Sequence, residues 1–207
     1  NPNMFVSLLF YYGMLTIGGT ALDKLHLVVP NLNVWEQYYR FLFDQYQDTA
    51  RIDMMKLENA FTDAALKGIW QPLFQYLSDR YFEDSSVRDA IGGEKNVQGY
   101  FMAYLNLSRL FVIRPELEFK HGYCDFFLLA DTKKFPVLQH SYVVELKYLK
   151  ADAAENEAKT QWHEAEEQVR KYMSDESLKR MTAGTQLHGI ILQFQNGKLF
   201  NMGEVGV

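Results

Sequence analysis

Residues 141–150 read SYVVELKYLK. Valine, leucine and tyrosine dominate the stretch, which marks it as a strand. A strand turns alternate side chains to opposite faces. Val144, Leu146 and Tyr148 then share one face, while Glu145 and Lys147 share the other. Two similar runs precede it, FVIRPELEF at 111–119 and GYCDFFLLA at 122–130, each set off by turn-like residues. A polar helix is predicted over 155–173, and HGIILQF at 188–194 supplies a fourth strand. Helix, three strands, helix, strand describes an α/β sandwich with a sheet between helical layers.

Upstream the apolar spacing changes from two to that of helices. Met54, Leu57, Phe61 and Ala65 form one stripe within 49–66, and Gly68 stands where a C′ glycine ends a helix. Leu73, Phe74 and Leu77 mark a second helix over 70–82, and Val97, Phe101, Tyr104 and Leu105 a third within 93–111. The polar stretch EDSSVRDAIGGE at 83–94 reads as a mobile loop. Near the start, a helix over 4–12, extended pieces at 15–17 and 26–29, and a helix from Val34, capped by Asn33, resemble a winged-helix unit. Met4 to Ile17 carries no charge, but it is too short for a membrane span of roughly 20 residues and reads as buried core.

The 207-residue chain carries 21 Lys+Arg against 26 Asp+Glu, a net charge of −5. That balance argues against a protein that coats nucleic acid non-specifically, though basic side chains can still gather at one cleft. One cysteine, Cys124, excludes an intramolecular disulfide and suits a reducing, cytoplasmic setting. The chain opens Asn-Pro without an initiator Met, which suggests a piece of a longer protein.

The 122–130 run is apolar on both faces, so it should be buried on both sides, yet it holds Asp125. A buried carboxylate needs a partner or a metal. If the two strands are neighbours, Asp125 and Glu145 converge and Lys147 lies one pleat further on. Two carboxylates with a backbone carbonyl make a hard oxygen site suited to Mg²⁺ or Mn²⁺. A lysine beside it can orient a water and stabilise charge on a phosphate. The same residues could instead form a buried salt-bridge cluster, and an isolated Glu-x-Lys fits a solvated strand face.

Asp125 followed by Glu145-Leu146-Lys147 resembles the signature of the PD-(D/E)XK nuclease superfamily. The likeness is to the nuclease domain at the C-terminal end of bacterial AAA-ATPase-like proteins. That group carries E-x-x-x-H-G on a helix, matched by Glu94 to Gly99 with Gln98 in the histidine position. Its glutamate upstream of the aspartate corresponds to Glu118. Its G-R-x-D appears as Gly122-Tyr123-Cys124-Asp125, without the arginine, and its A-x-x-Q as Ala165 to Gln168. Tyr12 to Ile17 and Val29-Pro30-Asn31 resemble segments that end the ATPase-like part.

The resemblance implies a restriction-endonuclease-like three-layer core (helix, mixed sheet, helix) over 49–207, preceded over 1–48 by the winged-helix-like tail of an ATPase-like region. It implies a Mg²⁺- or Mn²⁺-dependent nuclease acting on DNA. Asp125, Glu145 and the Leu146 carbonyl would hold the metal, joined by Glu94 and Glu118, while Lys147 and Gln168 complete the catalytic set. Glu94 also suits a helix N-terminus electrostatically, and Gln168 could cap a strand. Lys95, Lys120, Lys150 and Arg170 are the candidate phosphate contacts; His121 and His188 read as turn residues, and the acidic run Glu155 to Glu167 as a solvated face. Two other functions stay open: a catalytically inactive docking or regulatory domain of an ATPase, and a nucleic-acid-binding winged helix on an α/β scaffold.

Overall fold

The computed structural model describes residues 2–21, 24–31, 33–35, 37–38, 52–84, 93–119 and 122–206. Its centre is a five-stranded sheet, made of β3 (Phe111–Phe119), β4 (Gly122–Ala130), β5 (His140–Leu149), β6 (Gln186–Gln195) and β7 (Lys198–Glu204) in that spatial order. All neighbours are antiparallel except β5 and β6, which run parallel. A parallel pair needs a crossover, supplied by helix α5 (Glu155–Met173) and the short α6 (Glu176–Met181).

The helices before the sheet cover its other face. They are α2 (Met54–Lys67), α3 (Gln71–Asp84) and α4 (Glu94–Leu105). Asp53 caps α2 by accepting the Lys56 N–H at 3.1 Å. The helix stops at Gly68, where φ is +71° and the N–H groups of Gly68 and Ile69 donate to the Ala64 and Asp63 carbonyls. That double closure is the Schellman arrangement, and its left-handed residue is the reason for a glycine. Leu57, Phe61 and Ala65 face inward as their spacing predicts, whereas Met54 is exposed.

The period of two sorts the sheet. Tyr142, Val144, Leu146, Ile190, Leu192 and Phe194 join the core under α2–α4. Val143 and Ile191 join a second core with Ala165, Val169 and Tyr172 of α5. Phe74, Phe101 and Phe126 stack through the first core, with centroids 6.4 and 6.1 Å apart. In the second, α5 rests on Gly189, where an added Cβ would collide with Met173 Sδ and Val169 Cγ1. Gly189→Ala is therefore expected to destabilise the protein by about 2 kcal/mol through overpacking. Urea denaturation reads this directly; a stability equal to the wild type would mean α5 packs elsewhere.

A polar network ties the sheet end away from Lys147. His140 Nδ1 and His188 Nε2 lie 2.9 Å apart, and His188 Nδ1 lies 2.7 Å from Glu204 Oε1. The Trp70 indole donates to Glu204 Oε2 at 2.9 Å. His188 is thus a buried strand residue stacked on Tyr142, not a turn residue. His121 and Lys120 lie outside the described residues, as do most of the expected loop at 83–94 and the helix beyond Tyr38.

At the start of the chain, α1 (Pro2–Tyr11) precedes a hairpin of β1 (Thr16–Ala21) and β2 (Lys24–Val28). The expectation that this segment is core is corrected: Met4, Phe5, Leu8, Phe10, Tyr11 and Tyr12 are exposed. An uncharged pattern shows a capacity for burial but does not supply the covering partner. The following helical turn is capped by Asn31, whose Oδ1 accepts the Val34 N–H at 3.1 Å; Asn33 is already helical. The helix expected over 93–111 ends at Leu105, and Asn106 donates back to the Met102 carbonyl at 2.8 Å. No described helix is long and apolar enough to cross a membrane.

Candidate active site

The site forms where β4 and β5 part. Their ladder runs from Leu128↔Tyr142 to Phe126↔Val144 and ends there. One more step of the same register would set Asp125 opposite Glu145, and like charges directly opposed weaken strand pairing. Asp125 turns instead to the main chain of β5, where its Oδ2 accepts the Leu146 N–H at 2.6 Å. From α4 the Gln98 Nε2 donates to its other oxygen, Oδ1, at 2.5 Å. Both carboxylate oxygens of Asp125 are held.

Glu145 is only 4% exposed. Lys147 Nζ donates to its Oε1 at 2.7 Å, as two-residue spacing on one strand face allows. Its Oε2 is buried with no hydrogen-bond partner. Tyr172 of α5 borders the pair: its hydroxyl donates to the Tyr123 carbonyl at 2.8 Å, and its acidity is suppressed by burial and then by the Glu145 charge.

Burial raises the pKa of Asp125 from 3.8 to about 7, and the Glu145 charge adds to the rise, against the Leu146 N–H. Glu145 is likewise raised by burial, with Lys147 opposing. The two titrate as a unit, because each charge penalises the other. Cys124, beside them in sequence, is pushed up to about 12 by burial and then by the Glu145 and Asp125 charges, so its thiol is inert at neutral pH.

The remaining sequence candidates fall around this pair. Glu94 heads α4 with an exposed side chain, and its charge raises both carboxylates. Glu118 pairs its backbone with Tyr123 on β3, and its side chain lies outside the described residues. Gln168 is half-buried one turn before Tyr172, with Oε1 buried and unpartnered. Lys95, Lys150 and Arg170 are exposed, on α4, at the end of β5 and on α5. Along α5, Glu155, Glu157, Glu164 and Glu167 are exposed and Glu166 is half-buried, so that run is a largely solvated face. Sequence reasoning missed the contact of Gln98 with Asp125 and the place of Tyr172; the signal for Gln98 was its position one helical turn after Glu94.

Among the described residues no three His, Cys, Asp or Glu side chains gather as a ligand group. What converges is a pair of carboxylates with one buried oxygen left unsatisfied. An unsatisfied buried carboxylate oxygen is costly, and a hard divalent cation is the partner that satisfies it while cancelling the repulsion with Asp125. The residues present fit such an ion.

No curated protein matches the chain. The family model described as the PD-(D/E)XK nuclease superfamily matches residues 92–204, the span from α4 to β7 that carries Asp125, Glu145 and Lys147. Over half of the chain is covered, the mixed sheet between helices agrees with the restriction-endonuclease-like architecture, and the protein belongs to the PD-(D/E)XK nuclease superfamily.

Proposed function

We propose that the protein hydrolyses phosphodiester bonds of DNA with the help of Mg²⁺ or Mn²⁺. The observation that carries this reading is the half-buried Asp125 beside the buried Glu145, with Glu145 Oε2 unsatisfied and a lysine in contact. Asp125, Glu145 and the Leu146 carbonyl would hold the ion, with Glu94 and Glu118 as outer carboxylates. When bound, the ion supplies an acidified water and charge neutralisation at the scissile phosphate.

The side chains do the rest. Asp125 and Glu145 fix the charge of the site and, once neutralised, leave Lys147 free to turn from Glu145 toward phosphate oxygen. Its ammonium then orients the attacking water and offsets charge that grows in the transition state. Gln168 brings a further polar group from α5. Lys95, Lys150 and Arg170, with Lys120, would guide the strand by its phosphates, a sequence-independent and salt-sensitive attraction.

The segment 1–48 is taken as the winged-helix-like tail of an AAA-ATPase-like region and 49–207 as the nuclease-like domain, in a cytoplasmic setting. Support comes from the order of helix α1 and the β1–β2 hairpin and from the exposed apolar side chains of α1, which suit a neighbouring region of the same parent chain.

The test is cleavage of single-stranded, duplex and branched DNA, and of RNA, in Mn²⁺, Mg²⁺ or EDTA. Cleavage of DNA that depends on metal is expected. Lys147→Met is expected to keep Mn²⁺ binding by calorimetry while losing on the order of 10²–10³-fold in rate. Cleavage unaffected by EDTA would remove the mechanism. A chain that binds neither Mn²⁺ nor DNA would instead be a docking or regulatory domain, a reading favoured by the net charge of −5.

A further inference from the structure

We propose that Gln98 is a positioning residue, holding the Asp125 carboxylate in the orientation in which it and Glu145 take a divalent cation. The inference rests on the metal-binding reading of the site.

Asp125 is the first residue of β4 past the end of the β4–β5 ladder, so pairing with β5 leaves its side chain loosely determined beyond Cβ. The Leu146 N–H fixes Oδ2. A single hydrogen bond still permits the carboxylate plane to swing about that contact. The second bond, from Gln98 Nε2 to Oδ1, comes from a different element and removes this freedom. A carboxylate oxygen has two acceptor directions. One N–H on each oxygen therefore leaves one direction on each for a cation.

Gln98 is well placed to impose an orientation. Its neighbours on α4, Val97 and Phe101, are fully buried, and Phe101 stacks on Phe126, the residue after Asp125. The amide thus hangs from a part of the helix locked to the same strand it holds. The donor is also neutral. A cationic donor here would hold the carboxylate ionised, as Lys147 favours at Glu145, but its own charge would repel an incoming metal ion. An amide supplies direction without competing charge. Groups that orient metal ligands in this way typically contribute 10–100-fold in metal affinity.

The experiment is titration of the full chain with Mn²⁺ at pH 7.5, by calorimetry and by electron paramagnetic resonance of free Mn²⁺. Gln98→Met keeps the volume and helix preference but has no N–H. Its Mn²⁺ dissociation constant is expected to rise about tenfold or more. The affinity for DNA in metal-free buffer, which a general loss of structure would disturb, is expected to stay at the wild-type level. Should Gln98→Met melt early, Gln98→Asn takes its place, since it keeps the amide but withdraws it by one methylene. Mn²⁺ affinity in the variant equal to the wild type would overturn the role of Gln98 alone, provided Glu145→Gln loses Mn²⁺. A wild-type chain that takes up no Mn²⁺ would overturn the metal reading and this inference together.

Discussion

Glu145→Gln is expected to lower metal-dependent strand cleavage on the order of a thousandfold and, in the absence of metal, to raise the melting temperature at pH 8. The two effects have one origin. Glu145 is buried, faces Asp125 across the parted strands, and has an oxygen without a hydrogen-bond partner. That arrangement is unfavourable without a counter-charge, which under the proposed function a divalent cation would supply. Glutamine keeps the size and an oxygen for Lys147 but removes the charge, and with it both the ligand and the repulsion. Mn²⁺ titration, cleavage assay and thermal melting in EDTA separate the outcomes. Full activity in the variant would show that Glu145 is not a ligand. A lower melting temperature without metal would show that its contact with Lys147 outweighs the burial of its charge.

The second large effect is in the pH dependence of stability. In the folded chain Asp125 has its pKa raised from 3.8 to about 7. A carboxylate with a raised folded pKa is protonated more readily in the folded state than in the unfolded one. Its favourable contribution is present at acidic pH, below the unfolded value, and is lost as pH climbs through the folded value. Metal-free protein therefore loses stability from this group between about pH 4 and 7. Asp125→Asn removes the titration. Gln98 can turn its amide over to accept from the new Asn amide, while the Leu146 N–H keeps its oxygen acceptor.

The melting temperature of Asp125→Asn relative to wild type is expected to rise as pH goes from 4 to 8. About 2 kcal/mol, less than the full shift would give, corresponds to roughly 4–8 °C in a chain of this size. Mg²⁺ or Mn²⁺ should stabilise the wild type more at pH 7.5 than at pH 5, and should leave the Asn variant unmoved. A difference that stays flat with pH would mean that Asp125 is ionised throughout, held so by its two N–H donors.

The parts of the fold legible in the sequence are those whose pattern is local. The runs at 111–119, 122–130 and 141–149 and the helix at 155–173 stand at the predicted bounds, β5 extending one residue further to His140. Each is a dense apolar run, an alternating strand or a helical stripe bounded by turn-like residues. β7 was not foreseen, because its seven residues hold Asn201 and Gly203 and its pairing with β6 shifts register between Gln193 and Phe194. The six-residue α6 is too short to show a period. Asn31 and Asn33 are both good caps by type, and the turn after Pro30 decides which one is in place. Nor could pattern tell that the apolar side chains of α1 are exposed rather than core.

For the site, the division is sharper. Sequence alone set Glu145 and Lys147 on one strand face, because a strand alternates by geometry, and it marked Asp125 as a charge that a buried strand must answer for. Whether the two strands were neighbours, and in which register, was beyond it: side chains at 125 and 145 meet only through the β4–β5 ladder. The tertiary structure placed that ladder's end at Phe126↔Val144, so Asp125 and Glu145 lie one step past its last pair and do not pair with each other. It also brought Gln98, 27 residues before Asp125, into contact with it from a separate helix. Such contacts depend on how whole layers pack. A local period can say which way a side chain points, but only the assembled layers decide what it meets.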